Sequence, residues 1–206
     1  MTKREATEVL DKTRQMLDMA RRGLDDLLGS DPNRRMIGVH NLAVFGRSVT
    51  LVLQTMRSVD LNAFTQWYEP REEAMRQDPL LKYFVNLRNE ILKEGSPKAT
   101  SSIYIEHLNT ADIAPLMAHP PPGAKDFFIG DTLGGSGWIV ELPDGSQEKY
   151  YVQLPSAVKM ESRLHFPDPP TEHLGGPITD TSLQNLGRLY IAYLSSLVDE
   201  AEAEFG

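Results

Sequence analysis

The chain contains no cysteine. This excludes disulfides, thiolate nucleophiles and zinc–thiolate centres, and it is compatible with a reducing compartment. Long apolar runs are also missing. No stretch of about 18 uninterrupted apolar residues occurs, so no membrane-spanning helix is expected. The opening Met1-Thr2-Lys3-Arg4-Glu5-Ala6-Thr7-Glu8 mixes both charge signs and leads into no short apolar run, unlike a secretory signal. There is no His-Glu-x-x-His sequence and no aspartate-rich loop. His107, His119, His165 and His173 lie in dissimilar contexts without ligand spacing. No metal and no cofactor is therefore expected, and the expected location is cytoplasmic. No internal repeat or extended low-complexity tract is present.

Basic residues are in the minority. The net charge is −8, which disfavours broad non-specific binding to nucleic acid. The imbalance is uneven along the chain. Residues 1–60 carry ten Lys/Arg against eight Asp/Glu, whereas residues 171–206 carry one against six. A basic face on the N-terminal half is thus compatible with the acidic total.

What is present is enough apolar residue, 40% of 206, to bury a core. Residues 3–28 repeat Leu, Val, Ala and Met at three- and four-residue spacing, the pattern of an amphipathic helix. Asp31-Pro32 caps and opens a second helix over 32–58. From Leu42 to Leu53 that helix is apolar nearly all round, with Arg47 its only charge, as in a central bundle helix. A third helix spans 62–76, where Pro70 is expected to divide or kink it. Asp78-Pro79 opens a fourth over 79–94, closed by Gly95 with Pro97 beyond.

After residue 97 the texture changes. Ser101–Ile105 reads as a short strand and Phe127–Ile129 as another. Trp138–Leu142 and Lys149–Leu154, joined through Pro143-Asp144-Gly145-Ser146, read as a hairpin. Residues 126–154 thus predict a three-stranded antiparallel meander, and residues 180–204 a last helix. The expected fold is α+β and mostly helical: a bundle of about five helices with a β insertion before the last one. The expected divisions are 1–97 for the bundle, 98–176 for the insertion and 177–206 for the closing helix. A few strands have too little core to stand alone, so the insertion should lean on the bundle.

The most suggestive chemistry lies late in the fourth helix. Arg88, Asn89 and Lys93 fall near its C-terminus, and Asn89 and Lys93 share a face at four-residue spacing. Arginine offers a planar fork of donors, lysine a point charge and asparagine an amide, a set suited to phosphate. The plain alternative is that cations at a helix C-terminus need no ligand, because they complement the helix dipole.

The run Asp78–Gly95 resembles the HEPN superfamily, helical bundles that carry Arg-Asn-x-x-x-His late in one helix. Arg88 and Asn89 match the first two positions, and Lys93 stands where the family has histidine. The resemblance spans about residues 62–95. It implies paired motif helices in a homodimer, RNA or a nucleotide as ligand, metal-independent endoribonuclease chemistry, and a defence or toxin–antitoxin setting. An unperturbed histidine titrates near ~6.5 and an unperturbed lysine near ~10.4, so the substitution predicts a weak or inactive ribonuclease site.

Two further candidates are ligand-binding residues. Arg47, within an apolar helix, must be paired, reach out, or line a cavity. It is expected either to share a polar pocket with Arg88 or to form an ion pair with Glu72 or Glu90. His40, seven residues earlier on a similar face, is a candidate source of the imidazole missing at position 93. The glycine-rich Gly130–Gly137 lacks a phosphate-loop lysine and precedes a strand, so it reads as a turn. Two functions compete with the RNA reading: a non-catalytic helical scaffold for a protein partner, and an enzyme of another class with a pocket between bundle and meander.

Overall fold

Local capping rules account for most helix starts in the computed structural model, which describes residues 3–95 and 99–206. Pro97 and the boundary at 97/98 lie outside the described residues. Helix α1 spans Lys3–Leu28 and α2 spans Pro32–Leu53, followed by a 3-10 turn, Gln54–Ser58. Asp31 caps α2 by accepting from the Asn33 N–H. Asp60 likewise caps α3 (Leu61–Gln77) through Ala63, and Asp78 caps α4 (Pro79–Glu94) through Leu81. Each such cap satisfies an orphan N–H at the helix start. Gly95 ends α4 at φ 80°. Pro70 does not divide α3, which runs continuously past it.

The β-rich part is more elaborate than one meander. The expected three strands are present as β2 (Ala124–Ile129), β3 (Ser136–Glu141) and β4 (Gln147–Tyr151), in antiparallel order β2-β3-β4. A separate two-stranded sheet pairs β1 (Thr100–His107) with β5 (Lys159–His165), and a small hairpin pairs β6 (Glu172–His173) with β7 (Gly176–Pro177). Lys159–His165 carries five polar residues in seven, which hides its strand character from a hydrophobic pattern. A sixth helix, α5 (Thr110–Ala118), also escapes the sequence pattern because Pro115 lies inside it. The last helix, α6, runs Leu183–Phe205.

The main core joins α1, α2, α4 and α6. Leu17, Leu27, Leu42, Val49, Phe84 and Leu186 are fully buried there, each such side chain contributing roughly 1.5–3 kcal/mol by removal from water. Leu164 of β5 reaches into the same core. A second cluster at the α3 end gathers Leu53, Met56, Phe64, Tyr68, Leu197 and Phe205.

The helix Pro32–Ser58 is long and apolar enough, by length and composition, to cross a membrane, although no uninterrupted apolar run marks it. In the fold it packs against α1, α4 and α6, and a buried core helix has the same composition. It is not apolar-buried all round: Ile37 and Leu51 are exposed.

Candidate functional site

Helix α4 is fixed at its start by Asp78, whose carboxylate accepts from Leu81 N, Leu174 N and His173 Nδ1. Leu80, Phe84, Leu87 and Ile91 anchor its inner face. At about 100° per residue, Lys82, Asn86, Asn89 and Lys93 then fall within one arc of about 60° on its surface. Lys82, Asn86 and Lys93 are exposed and Asn89 is half-buried. Half-buried Arg88 sits round the helix and donates from Nη1 to Asn89 Oδ1 at 3.1 Å. The three motif residues thus lie close on one turn and a half of helix. Among the described residues no carboxylate pairs with Lys82, Arg88 or Lys93. Arg14, Arg34, Arg57, Arg71, Arg76 and Arg163, by contrast, are each held by one.

Arg47 lies elsewhere. It lines a half-open cavity of about 390 Å³ between α2, α3, α4 and α6, and Arg88 is not among the lining residues. Leu81, Val85 and Leu194 give the cavity apolar walls, and Lys82 and Asn86 border it from α4. Arg47 Nη1 donates to Thr50 Oγ1. Neither expected ion pair forms: Glu72 is held by Arg57 at 3.4 Å and Arg76 at 3.2 Å, and Glu90 makes no ion pair among the described residues. Arg47 is therefore a half-buried guanidinium without a carboxylate among the described residues.

Tyr190, on the buried stripe of α6, also lines this cavity. It is 3% exposed. Its ring stacks on Phe84, centroids 4.0 Å apart, and presses against Gly46, where a Cβ would stand 2.4 Å from Tyr190 Cε1. No described residue hydrogen-bonds its hydroxyl. Burial raises its pKa well above the ordinary phenol value, with the Arg47 charge opposing, so the group remains a neutral donor. Tyr68 is raised by burial and by Glu72, against the opposing hydrogen bond from Gln54 Nε2 at 3.2 Å and the charges of Arg47 and Arg57. The one available signal for Tyr190 is that a tyrosine in a buried stripe must place its hydroxyl somewhere.

His40 does not line the cavity, and its Nε2 is buried without a hydrogen-bond partner. The Tyr83 hydroxyl on α4 is in the same condition. The glycine-rich turn closes on its own carboxylate. Asp131 accepts from Leu133 N and Gly135 N on one oxygen, and from Lys149 Nζ and the Tyr151 hydroxyl on the other. Among the described residues no three His, Asp or Glu side chains converge as a metal site would require.

Residues 30–126 match the family described as bacteriophage lambda protein ea47. That stretch runs from the end of the α1–α2 connection into β2. It contains Arg47 and the Arg88–Lys93 cluster but not Tyr190. No curated protein and no solved structure matches the chain.

Proposed function

We propose that the protein engages a phosphate-bearing ligand, RNA or a nucleotide, along the polar face of α4, at a site poor in proton transfer. The observation that carries this reading is the arc of Lys82, Asn86, Asn89 and Lys93 on the polar surface of α4, with half-buried Arg88 tied to it through Asn89 and none of the three cations paired with a carboxylate among the described residues. Unpaired guanidinium and ammonium groups, with amides between them, favour phosphate oxygens. Lys93 supplies charge where the resembled family supplies imidazole, so binding outlasts cleavage. Binding should weaken as salt rises, since each neutralised phosphate releases counterions. The test is titration of labelled single-stranded RNA at two salt concentrations with wild type, Arg88→Ala and Lys93→Ala. Loss of binding in both variants, with melting unchanged, supports the reading. Equal binding by all three removes it.

A second reading, a self-associating scaffold, is favoured by exposed apolar residues on β1 and α5. Tyr104 and Ile105, on opposite faces of β1, and Met117 of α5 are exposed, and α5 buries none of its residues. An apolar helix left in water marks an interaction surface. A second copy of the chain is the partner proposed. Sedimentation of wild type beside Tyr104→Ser/Met117→Gln tests it. A dimer that dissolves in the variant supports the scaffold, and a monomer at all concentrations removes it.

A further inference from the structure

The strongest feature outside the α4 cluster is the cavity at Arg47, because two of its polar groups lack partners. A guanidinium has two edges that can grip a carboxylate, and the Nε–Nη2 edge matches the planar carboxylate fork. This protein uses that edge repeatedly. Arg34 grips Asp26 with Nε and Nη2 at 2.9 and 3.1 Å, Arg163 grips Glu161 at 3.0 and 3.1 Å, and Arg14 grips Glu202 in the same way. Arg47 spends Nη1 on Thr50 and leaves Nε and Nη2 without a partner among the described residues.

Tyr190 adds the second vacancy. The residue lines the cavity, its ring is held in place by the stack on Phe84, and its hydroxyl donates to nothing described. With its donor free, this hydroxyl can serve an acceptor placed in the cavity. Leu81, Val85 and Leu194 give the cavity an apolar side, and Gln54, Arg76, Lys82 and Asn86 add polar groups around it. A volume near 390 Å³ lies in the range of small-molecule sites, about 300–1,000 Å³. Glu72 also faces this space, but with Arg47, Arg76 and Lys82 around it the lining is net positive, which favours an anion.

We propose that this cavity is a binding site for a small organic monocarboxylate, its carboxylate gripped by Arg47 Nε and Nη2 and by the Tyr190 hydroxyl, its apolar body against Leu81, Val85 and Leu194. The cavity shares Lys82 and Asn86 with the polar face of α4 but not Arg88 or Lys93, so variants at those two residues test the RNA reading separately.

The test is an NMR titration of the full chain with benzoate and hexanoate, with benzamide and hexanamide as uncharged counterparts and phenyl phosphate as the dianionic one. The carboxylates should saturate, and the amides should bind at least about tenfold more weakly. Arg47→Gln and Tyr190→Phe should each weaken the carboxylates by at least about fivefold. Tyr190→Phe keeps the ring stack and so reports on the hydroxyl even if Arg47→Gln folds poorly. Arg88→Ala should leave benzoate binding unchanged, which separates failure of this site from failure at α4. Any of three results overturns the proposal: no saturable carboxylate binding to wild type, amides binding as tightly as carboxylates, or full binding in Tyr190→Phe. Tighter binding of phenyl phosphate than of benzoate also overturns it, in favour of a phosphate site.

Discussion

Gly23 of α1 and Gly38 of α2 meet back to back. A Cβ on Gly23 would stand 2.8 Å from the Gly38 carbonyl oxygen, and one on Gly38 would stand 2.6 Å from the Gly23 carbonyl oxygen. The two helices therefore cross at backbone contact, and this approach sets how deeply α2 sits in the bundle. The atoms in the way belong to backbone, which cannot swing aside as a side chain can. Gly38→Ala should cost at least about 2 kcal/mol through overpacking. Urea denaturation measures it. A loss within about 0.5 kcal/mol would show that the helices slide apart freely.

Gln184 of α6 completes the edge of β5. Its Oε1 accepts from Leu164 N at 3.0 Å and its Nε2 donates to Ser162 O at 3.2 Å, so one side-chain amide does what a neighbouring strand would do. Gln184→Leu should leave both backbone groups unpaired and cost about 1–3 kcal/mol. Hydrogen exchange at Leu164 should accelerate with it. Unchanged exchange there would mean that the β1–β5 sheet holds this strand without α6.

Asp78 links pH to stability. Burial acts to raise its pKa, but the hydrogen bonds from Leu174 N, Leu81 N and His173 outweigh burial and hold it below the ordinary carboxylate value. A carboxyl group depressed in the folded state stabilises above its unfolded value and loses that contribution as pH falls through the folded one. Asp78→Asn should therefore destabilise at pH 7 by about 2 kcal/mol, and the gap to wild type should close below about pH 4. Melting curves from pH 7 to pH 2.5 decide it, and a constant gap across that range would contradict the assignment.

Arg47 has no carboxylate to leave behind, so its removal should be mild. Arg47→Gln should change stability by no more than about 1 kcal/mol, in either direction. Thermal unfolding checks it. A loss of 3 kcal/mol or more, the order seen when a buried pair is broken, would point to an ionic partner instead.

Lys93→His would restore the proton-transfer group at the α4 cluster. Cleavage of labelled RNA by this variant should rise above a low wild-type background, and the added Arg88→Ala should abolish the gain. Wild-type cleavage that disappears in Lys93→Ala would instead make the lysine itself the reacting group.

The sequence by itself determined the local devices. Asp31-Pro32, Asp60, Asp78-Pro79 and Gly95 start and stop helices through interactions that span four residues or fewer, so they are readable without the fold. The spacing of Arg88 and Asn89 placed them together for the same reason. The strand Lys159–His165 was not legible, because its order comes from pairing with β1 about sixty residues away and from Gln184, not from its own polar pattern. Pro70 is expected to divide or kink α3, yet it lies inside a continuous helix, as Pro115 does in α5, where tertiary context overrides a local preference. Only the tertiary structure decided the surroundings of Arg47. Which carboxylates are free depends on Arg57 and Arg76 having taken Glu72, and which hydroxyl faces the cavity depends on α6 laying Tyr190 between Phe84 and Gly46. Charge pairing in a core is a competition among distant side chains, and no local pattern records its outcome.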